Sequence, residues 1–219
     1  MKRTLTIFGG IAVLNLSQAA VISWGAATDT TSAADVSVNG TSLSALNGGA
    51  SNVTVNGVSF TGSDLLAGSP VGVGLLGGGT TGDTGFNSLL DEVDFGGGTG
   101  VSVIDLGAFT SGNTIEIQVF FTDQRSAQQD RVMRYGSSTG GGTVDLEASP
   151  NNANTAPFGQ YAIGTFVADG TDPDLTLAPQ GFGNAHFTAI QVRDLGVIPE
   201  PSSLMLSLVA CVGLLRRKR

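Results

Sequence analysis

The chain has 219 residues, 33 of them glycine, and carries a formal net charge of −8 at pH 7. Six of its ten cations sit at the two ends (Lys2, Arg3, Arg216, Arg217, Lys218, Arg219), so residues 20–201 keep only Arg125, Arg131, Arg134 and Arg193 against all eighteen acids, a net −14. That balance repels nucleic acid and anionic lipid, and the one cysteine, Cys211, leaves no pair for a disulfide and no set for a zinc cage.

The first segment reads as an export leader. Lys2 and Arg3 form a positive start, residues 4–16 an apolar run, and Ser17-Gln18-Ala19 a small-x-small cleavage site. Residues 1–19 are therefore expected to be a signal peptide, with the mature chain starting at Ala20. The remaining stretch to residue 196 is long enough for one domain with its own core.

Within it the apolar period is two. Strands are expected at 21–25, 53–55, 58–61, 101–106, 114–122, 131–135, 143–146, 160–168, 175–178 and 186–193. The plainest is 114–122, where Ile115, Ile117, Val119 and Phe121 alternate with Glu116, Gln118 and Phe120. Trp24 shares a face with Ile22 and is expected in the core. Asn56-Gly57 predicts a tight hairpin turn, Ser111-Gly112-Asn113 a hairpin joining 101–106 to 114–122, and Asp169-Gly170 a further connection. One helix is expected where Phe86, Leu89, Leu90 and Val93 fall at helical spacing behind Asp83 or Thr84 as cap. Asp91, Glu92 and Asp94 would then be its solvated face. Three glycine triplets, 77–79, 96–98 and 140–142, read as loops and lack the lysine and context of a phosphate loop. Many short strands, glycine turns and one short helix together predict an all-β single sandwich.

The chain ends on Val197-Ile198-Pro199-Glu200-Pro201-Ser202-Ser203, an apolar run over 204–215, and Arg216-Arg217-Lys218-Arg219. As a helix, the fourteen residues 202–215 would span about 21 Å, short of the ~30 Å bilayer core. The prolines break a helix upstream, and the terminal cations favour the cytoplasmic face. A Pro-Glu-Pro triplet, a short apolar segment and a basic end resemble the PEP-CTERM sorting signal of exported bacterial proteins, here over 197–219. The resemblance implies transient membrane anchoring, a membrane processing partner of the exosortase type, passage through secretion machinery, and final placement at the cell surface or outside the cell; the alternative is an ordinary C-terminal anchor that stays in place.

A second resemblance covers most of the mature stretch. IEIQVFFTDQR at 115–125, the 160–169 segment and GNAHFTAIQVR at 183–193 are similar to jelly-roll domains of exported PEP-CTERM proteins, which in outline are similar to carbohydrate-binding modules. That implies a jelly-roll-like sandwich and an extracellular polysaccharide as partner.

The polar residues offer few chemical constellations. His186 is the only histidine; it follows the alternation of Ile190 and Val192 and is expected in the core or at its rim, its ring nitrogens satisfied by neighbours. There is no nucleophile elbow. The densest polar group is Asp123-Gln124-Arg125 with Asp130-Arg131 and Arg134, flanked by Phe120, Phe121 and Tyr135. Guanidinium forks suit sugar hydroxyls or carboxylates; alternatively Arg125 pairs with Asp123 or Asp130 and pins two strands as a surface ion pair of little energetic weight. The candidate ligand-binding set is Asp123, Arg125, Asp130, Arg131, Asn184 and His186. No cofactor is expected apart from calcium, for which Asp169, Asp172 and Asp174 are candidates, with Asp29, Asp35 and Asn39 as a second group; a plain acidic turn is the better account of the first group. These readings favour a non-enzymatic structural or adhesive exported protein, with a carbohydrate-binding module as alternative and a polysaccharide lyase or hydrolase behind it.

Overall fold

The computed structural model describes residues 19–73, 80–152 and 155–197. The segment expected as a leader, through Gln18, the segment expected as a sorting tail, with Pro199, Glu200, Pro201, Arg216, Arg217, Lys218 and Arg219, and the glycine triplet at 77–79 lie outside the described residues.

Fifteen strands follow in chain order: β1 (Ser23–Trp24), β2 (Thr28–Asp29), β3 (Thr41–Asn47), β4 (Val53–Val55), β5 (Val58–Gly62), β6 (Val71–Gly72), β7 (Glu92–Gly96), β8 (Ser102–Ile104), β9 (Thr114–Phe121), β10 (Val132–Ser137), β11 (Val144–Glu147), β12 (Gln160–Val167), β13 (Leu175–Gln180), β14 (Ala185–Phe187) and β15 (Ala189–Asp194). A 3-10 turn, Ala33–Asp35, and one α-helix, α1 (Thr84–Leu89), complete the described elements. The molecule is β-rich and sandwich-like. Its largest sheet runs β1-β12-β9-β15-β3-β5-β4, with β2 beside β12; a four-stranded sheet runs β11-β10-β13-β8, and a small one runs β14-β7-β6. Every pairing between these strands is antiparallel except β3 with β5.

Two apolar layers lie on opposite faces of the large sheet. On one face Ile115, Ile117, Val119, Phe121 and Val192 meet Met133, Tyr135, Leu146, Leu175 and Leu177 of the four-stranded sheet. On the other, Phe120 and Ala189 pack with Phe60, Phe86, Leu89 and Leu90. Burying each such side chain contributes about 1.5–3 kcal/mol. Strand β9 is consequently buried on both sides. Its polar positions are covered by the 31–40 segment: Gln118 accepts from the Ser37 amide at 2.9 Å and from Gln191 at 2.6 Å, and donates to the Asp35 carbonyl at 2.6 Å.

The Asn56-Gly57 turn forms as expected, with φ of 49° and 77° between the paired Val55 and Val58. Trp24 packs with Ile22 against the first core. Four expectations are corrected. The segment at 101–106 does not form a hairpin with 114–122; β8 pairs with β13 in the other sheet. The helix stops after Leu89, and Val93 belongs to β7, because the Leu90 amide closes the last turn on Phe86. Asp94 is therefore no solvated helix residue: it is buried on β7 and accepts from the Leu66 amide at 3.1 Å and from that of Leu65. Finally, 186–193 is not one strand. Ala185 and Phe187 join the same core as Ile190 and Val192, so the facing parity shifts by one at Thr188. There the chain passes from the small sheet to the large one, and the Thr188 hydroxyl accepts from the Thr122 amide at 2.9 Å.

Candidate functional site

The site forms where β9 ends. Gln124 fixes the exit: its amide donates to the Val73 carbonyl at 3.1 Å, and its side chain donates to Thr122 and to the Ala148 carbonyl, both at 3.1 Å. Two successive turns follow, the Gln128 amide closing on Arg125 at 2.7 Å and the Arg131 amide on Gln128 at 3.1 Å. They bring Arg125 and Arg131 onto one carboxylate. Asp123, fully buried, accepts from Arg125 Nε at 2.9 Å and Nη2 at 2.7 Å, and from Arg131 Nη1 at 3.3 Å. The Arg125–Asp123 pair that the sequence offered is thus formed, but its carboxylate is sealed and shared with Arg131 rather than lying at the surface, so that removing the carboxylate alone would leave Arg131 as a buried, unpaired charge. Hydrogen bonding to Asp123 pushes the Arg125 guanidinium up from its ordinary value. Burial pushes that of Arg131 down, with Asp123 opposing.

Above the triad opens a cleft of about 250 Å³. Arg125, Arg131, Asn184 and His186 line it, with Val71, Val93 and Phe95 as its apolar wall. Arg131 Nη2 donates to the Asn184 carbonyl, which ties the β9–β10 loop to the approach of β14. Gly183, at φ 84°, lies so close that a Cβ there would meet the Arg131 guanidinium at 2.9 Å. His186 is fully buried and stacks on Phe121. Contrary to the expectation, neither ring nitrogen has a well-formed hydrogen bond; the Thr122 backbone gives the ring only slight support. Burial, then the fields of Arg131 and Arg125, hold its imidazole well below the ordinary range. Beneath it Tyr135, also fully buried, donates to the His186 carbonyl at 3.3 Å, and its phenol is pushed up by burial.

Four of the six candidate ligand-binding residues, Arg125, Arg131, Asn184 and His186, therefore line one cleft, and Asp123 lies under it. Asp130 does not join them; it is exposed and faces a separate hollow with Gln129, Glu147 and Pro150. Arg134 also stands apart, exposed and paired across β10 and β11 with Asp145 at 2.7 Å. Gln128, Gly183 and the apolar wall were not legible as site residues. Val93 and Phe95 fell within or beside the expected helix, and only the β7–β14 pairing, His186 opposite Phe95, brings them here.

The calcium candidates do not assemble. Asp169 accepts from the Thr171 amide at 2.8 Å, as in an acidic turn, while Asp172 accepts from the Phe109 amide at 2.8 Å. The Asp174 amide is held by Ser138 at 2.9 Å. Asp29 accepts from Gln160, Asp35 caps the 3-10 turn, and Asn39 donates to Glu116. Among the described residues no group of three or more His, Cys, Asp or Glu side chains gathers as a metal site. Among the same residues no helix is long and apolar enough to cross a membrane.

No family model, curated protein or solved structure matches this chain.

Proposed function

We propose that this is an exported, non-enzymatic adhesive protein of the cell surface or extracellular matrix, whose jelly-roll-like domain holds an extracellular polysaccharide in the Arg125–Arg131–His186 cleft. The leader at 1–19 hands the chain to the secretion machinery. The Pro199-Glu200-Pro201 tail then holds it briefly in the membrane for an exosortase-type processing enzyme. The single observation that carries the binding reading is the convergence of Arg125, Arg131, Asn184 and His186, with an apolar wall, in one cleft. Such a mixture suits a sugar, which presents hydroxyls at its edge and C–H groups on its face. The non-enzymatic reading draws on His186: no hydroxyl or carboxylate is hydrogen-bonded to it, and a nucleophile–base pair needs that contact.

The test is a glycan array probed with the purified protein, together with mass spectrometry of its C-terminus from the producing cell. Binding to one or more polysaccharides, weakened by Arg125→Ala, and loss of the peptide after residue 201 are expected. An array without a single bound glycan would overturn the adhesive reading, and an intact Arg219 end in the inner membrane would overturn the processing reading.

A further inference from the structure

We infer that the cleft selects an acidic sugar, binding the carboxylate of a uronate residue on the outer edge of Arg125. The inference rests on the polysaccharide-binding reading above and names the class of sugar.

Charge is the first ground. Two guanidiniums share the single carboxylate of Asp123, and Asp130 faces elsewhere. His186 stays neutral at physiological pH under the burial and the arginine fields around it. The cleft therefore holds one uncompensated positive charge in a chain that is otherwise strongly acidic. A partly desolvated charge of this kind gains most from one anion of equal magnitude.

Geometry is the second. Arg125 spends Nε and one Nη2 hydrogen on Asp123. Both Nη1 hydrogens and the second on Nη2 are left, and one Nη1 hydrogen with that of Nη2 forms the end-on fork that takes a carboxylate in two parallel bonds. Its side chain remains about one-third exposed (34%) while Asp123 beneath it is sealed. Asp123 thus works as a backstop that fixes the guanidinium plane.

Unspent polar atoms are the third. Neither nitrogen of the fully buried His186 has a well-formed hydrogen bond, the Thr122 backbone giving the ring only slight support, and the Nε of Arg131 has none; buried polar atoms left in this state are costly. A pyranose lying on Val71 and Phe95 with its carboxylate on Arg125 turns hydroxyls toward the imidazole. One neutral imidazole nitrogen accepts and the other donates, so it can take either role of a hydroxyl.

The test is titration calorimetry of the purified protein with oligouronates of galacto, gluco and manno configuration, each beside its fully methyl-esterified form. At least one acid is expected to bind tenfold or more tightly than its ester. That preference should shrink at 0.5 M salt and disappear in Arg125→Ala, while Arg125→Lys keeps only part of it because an ammonium lacks the fork. Arg134→Ala, outside the cleft, is expected to bind like the parent. Equal affinity for acid and ester overturns the inference but leaves sugar binding standing, as does a protein that binds only neutral glycans on the array. A preference for the acid that survives Arg125→Ala but falls in Arg134→Ala overturns the site. No binding to any glycan overturns the underlying reading instead.

Discussion

His186 lies stacked on Phe121, ring centroids 4.4 Å apart and planes inclined by 28°, and the stack seals an imidazole that has no well-formed hydrogen bond. The relationship fixes the sign of a pH effect. In the unfolded chain the ring takes up a proton near pH ~6.5; in the folded protein its pKa is well below that, from burial first and then from Arg131 and Arg125. The stabilising difference is therefore fully present above pH ~6.5 and is lost as the pH falls toward the folded value, by at most about 1.4 kcal/mol per pH unit for one proton. Urea midpoints measured from pH 7.5 to 5 should decline below 6.5. His186→Phe, which keeps the ring contact and removes the proton site, should flatten that decline. An unchanged slope in the variant would assign the acid sensitivity to other groups.

Asp123 ties two cations from inside the protein, and Asp145 ties one at the surface. Removing Asp123 leaves two guanidiniums against a buried void. Asp123→Ala is expected to cost about 3–5 kcal/mol in chemical denaturation, the range for breaking a buried pair from one side. Asp145→Ala removes an exposed partner of Arg134 and should leave the denaturation midpoint unmoved. Equal effects of the two variants would show that the triad is as solvated as the surface pair.

Gly183 couples a backbone conformation to the site. At φ 84° an L-side chain is strained, by roughly 1–2 kcal/mol, and its Cβ would press on the Arg131 guanidinium. Gly183→Ala should therefore lose stability by about that amount and also displace Arg131 from Asp123. The second effect separates it from a plain backbone penalty: binding to whichever glycan the parent binds should fall several-fold more than in Gly170→Ala. Gly170 has φ 90° and open space where its Cβ would lie.

The inner face of β9 was readable because Ile115, Ile117, Val119 and Phe121 alternate cleanly. Its outer face was not. Glu116 and Gln118 look solvent-facing, but residues 35–39 reach over to pair with them, Gln118 through the Ser37 amide and the Asp35 carbonyl, Glu116 through the Ser37 and Asn39 side chains. Such a contact has no local signature in sequence. Strand β3 escaped for a related reason: Thr41–Asn47 lacks β-branched alternation and is held mainly by pairing with β15 and β5. Helical spacing misled at Val93, since a six-residue helix followed by a strand can carry the same apolar offsets as two helical turns. The polar half of the site was visible because Asp123, Arg125 and Arg131 are near neighbours in the chain. Its apolar wall and the parity shift that aims His186 into the cleft depend on sheet pairing, which composition does not encode.

Asp94 has the opposite pH sign to His186. Its carboxylate is buried on β7, with Oδ2 accepting from the Leu65 and Leu66 amides and Oδ1 without a well-formed hydrogen bond. Burial is the main cause of its pKa standing above the ordinary value, with the charge of Asp64 adding to it, while the Leu65 and Leu66 amides and, more weakly, that of Phe95 pull the other way. A carboxyl with a raised folded pKa takes up its proton earlier in the native state than in the unfolded one. Stability therefore gains as the pH falls through the raised value and stops gaining below about 3.8, the ordinary pKa. Asp94→Asn removes the charge and retains an acceptor for both amides, so its stability at pH 7 should match or exceed that of the parent, and the acid-side gain should vanish. Asp94→Ala strands two amide donors and should cost about 1–3 kcal/mol or more. If Asp94→Asn were as damaging as Asp94→Ala, the carboxylate charge would be holding the 65–66 segment, and the balance between burial and the two amide bonds would lie on the other side.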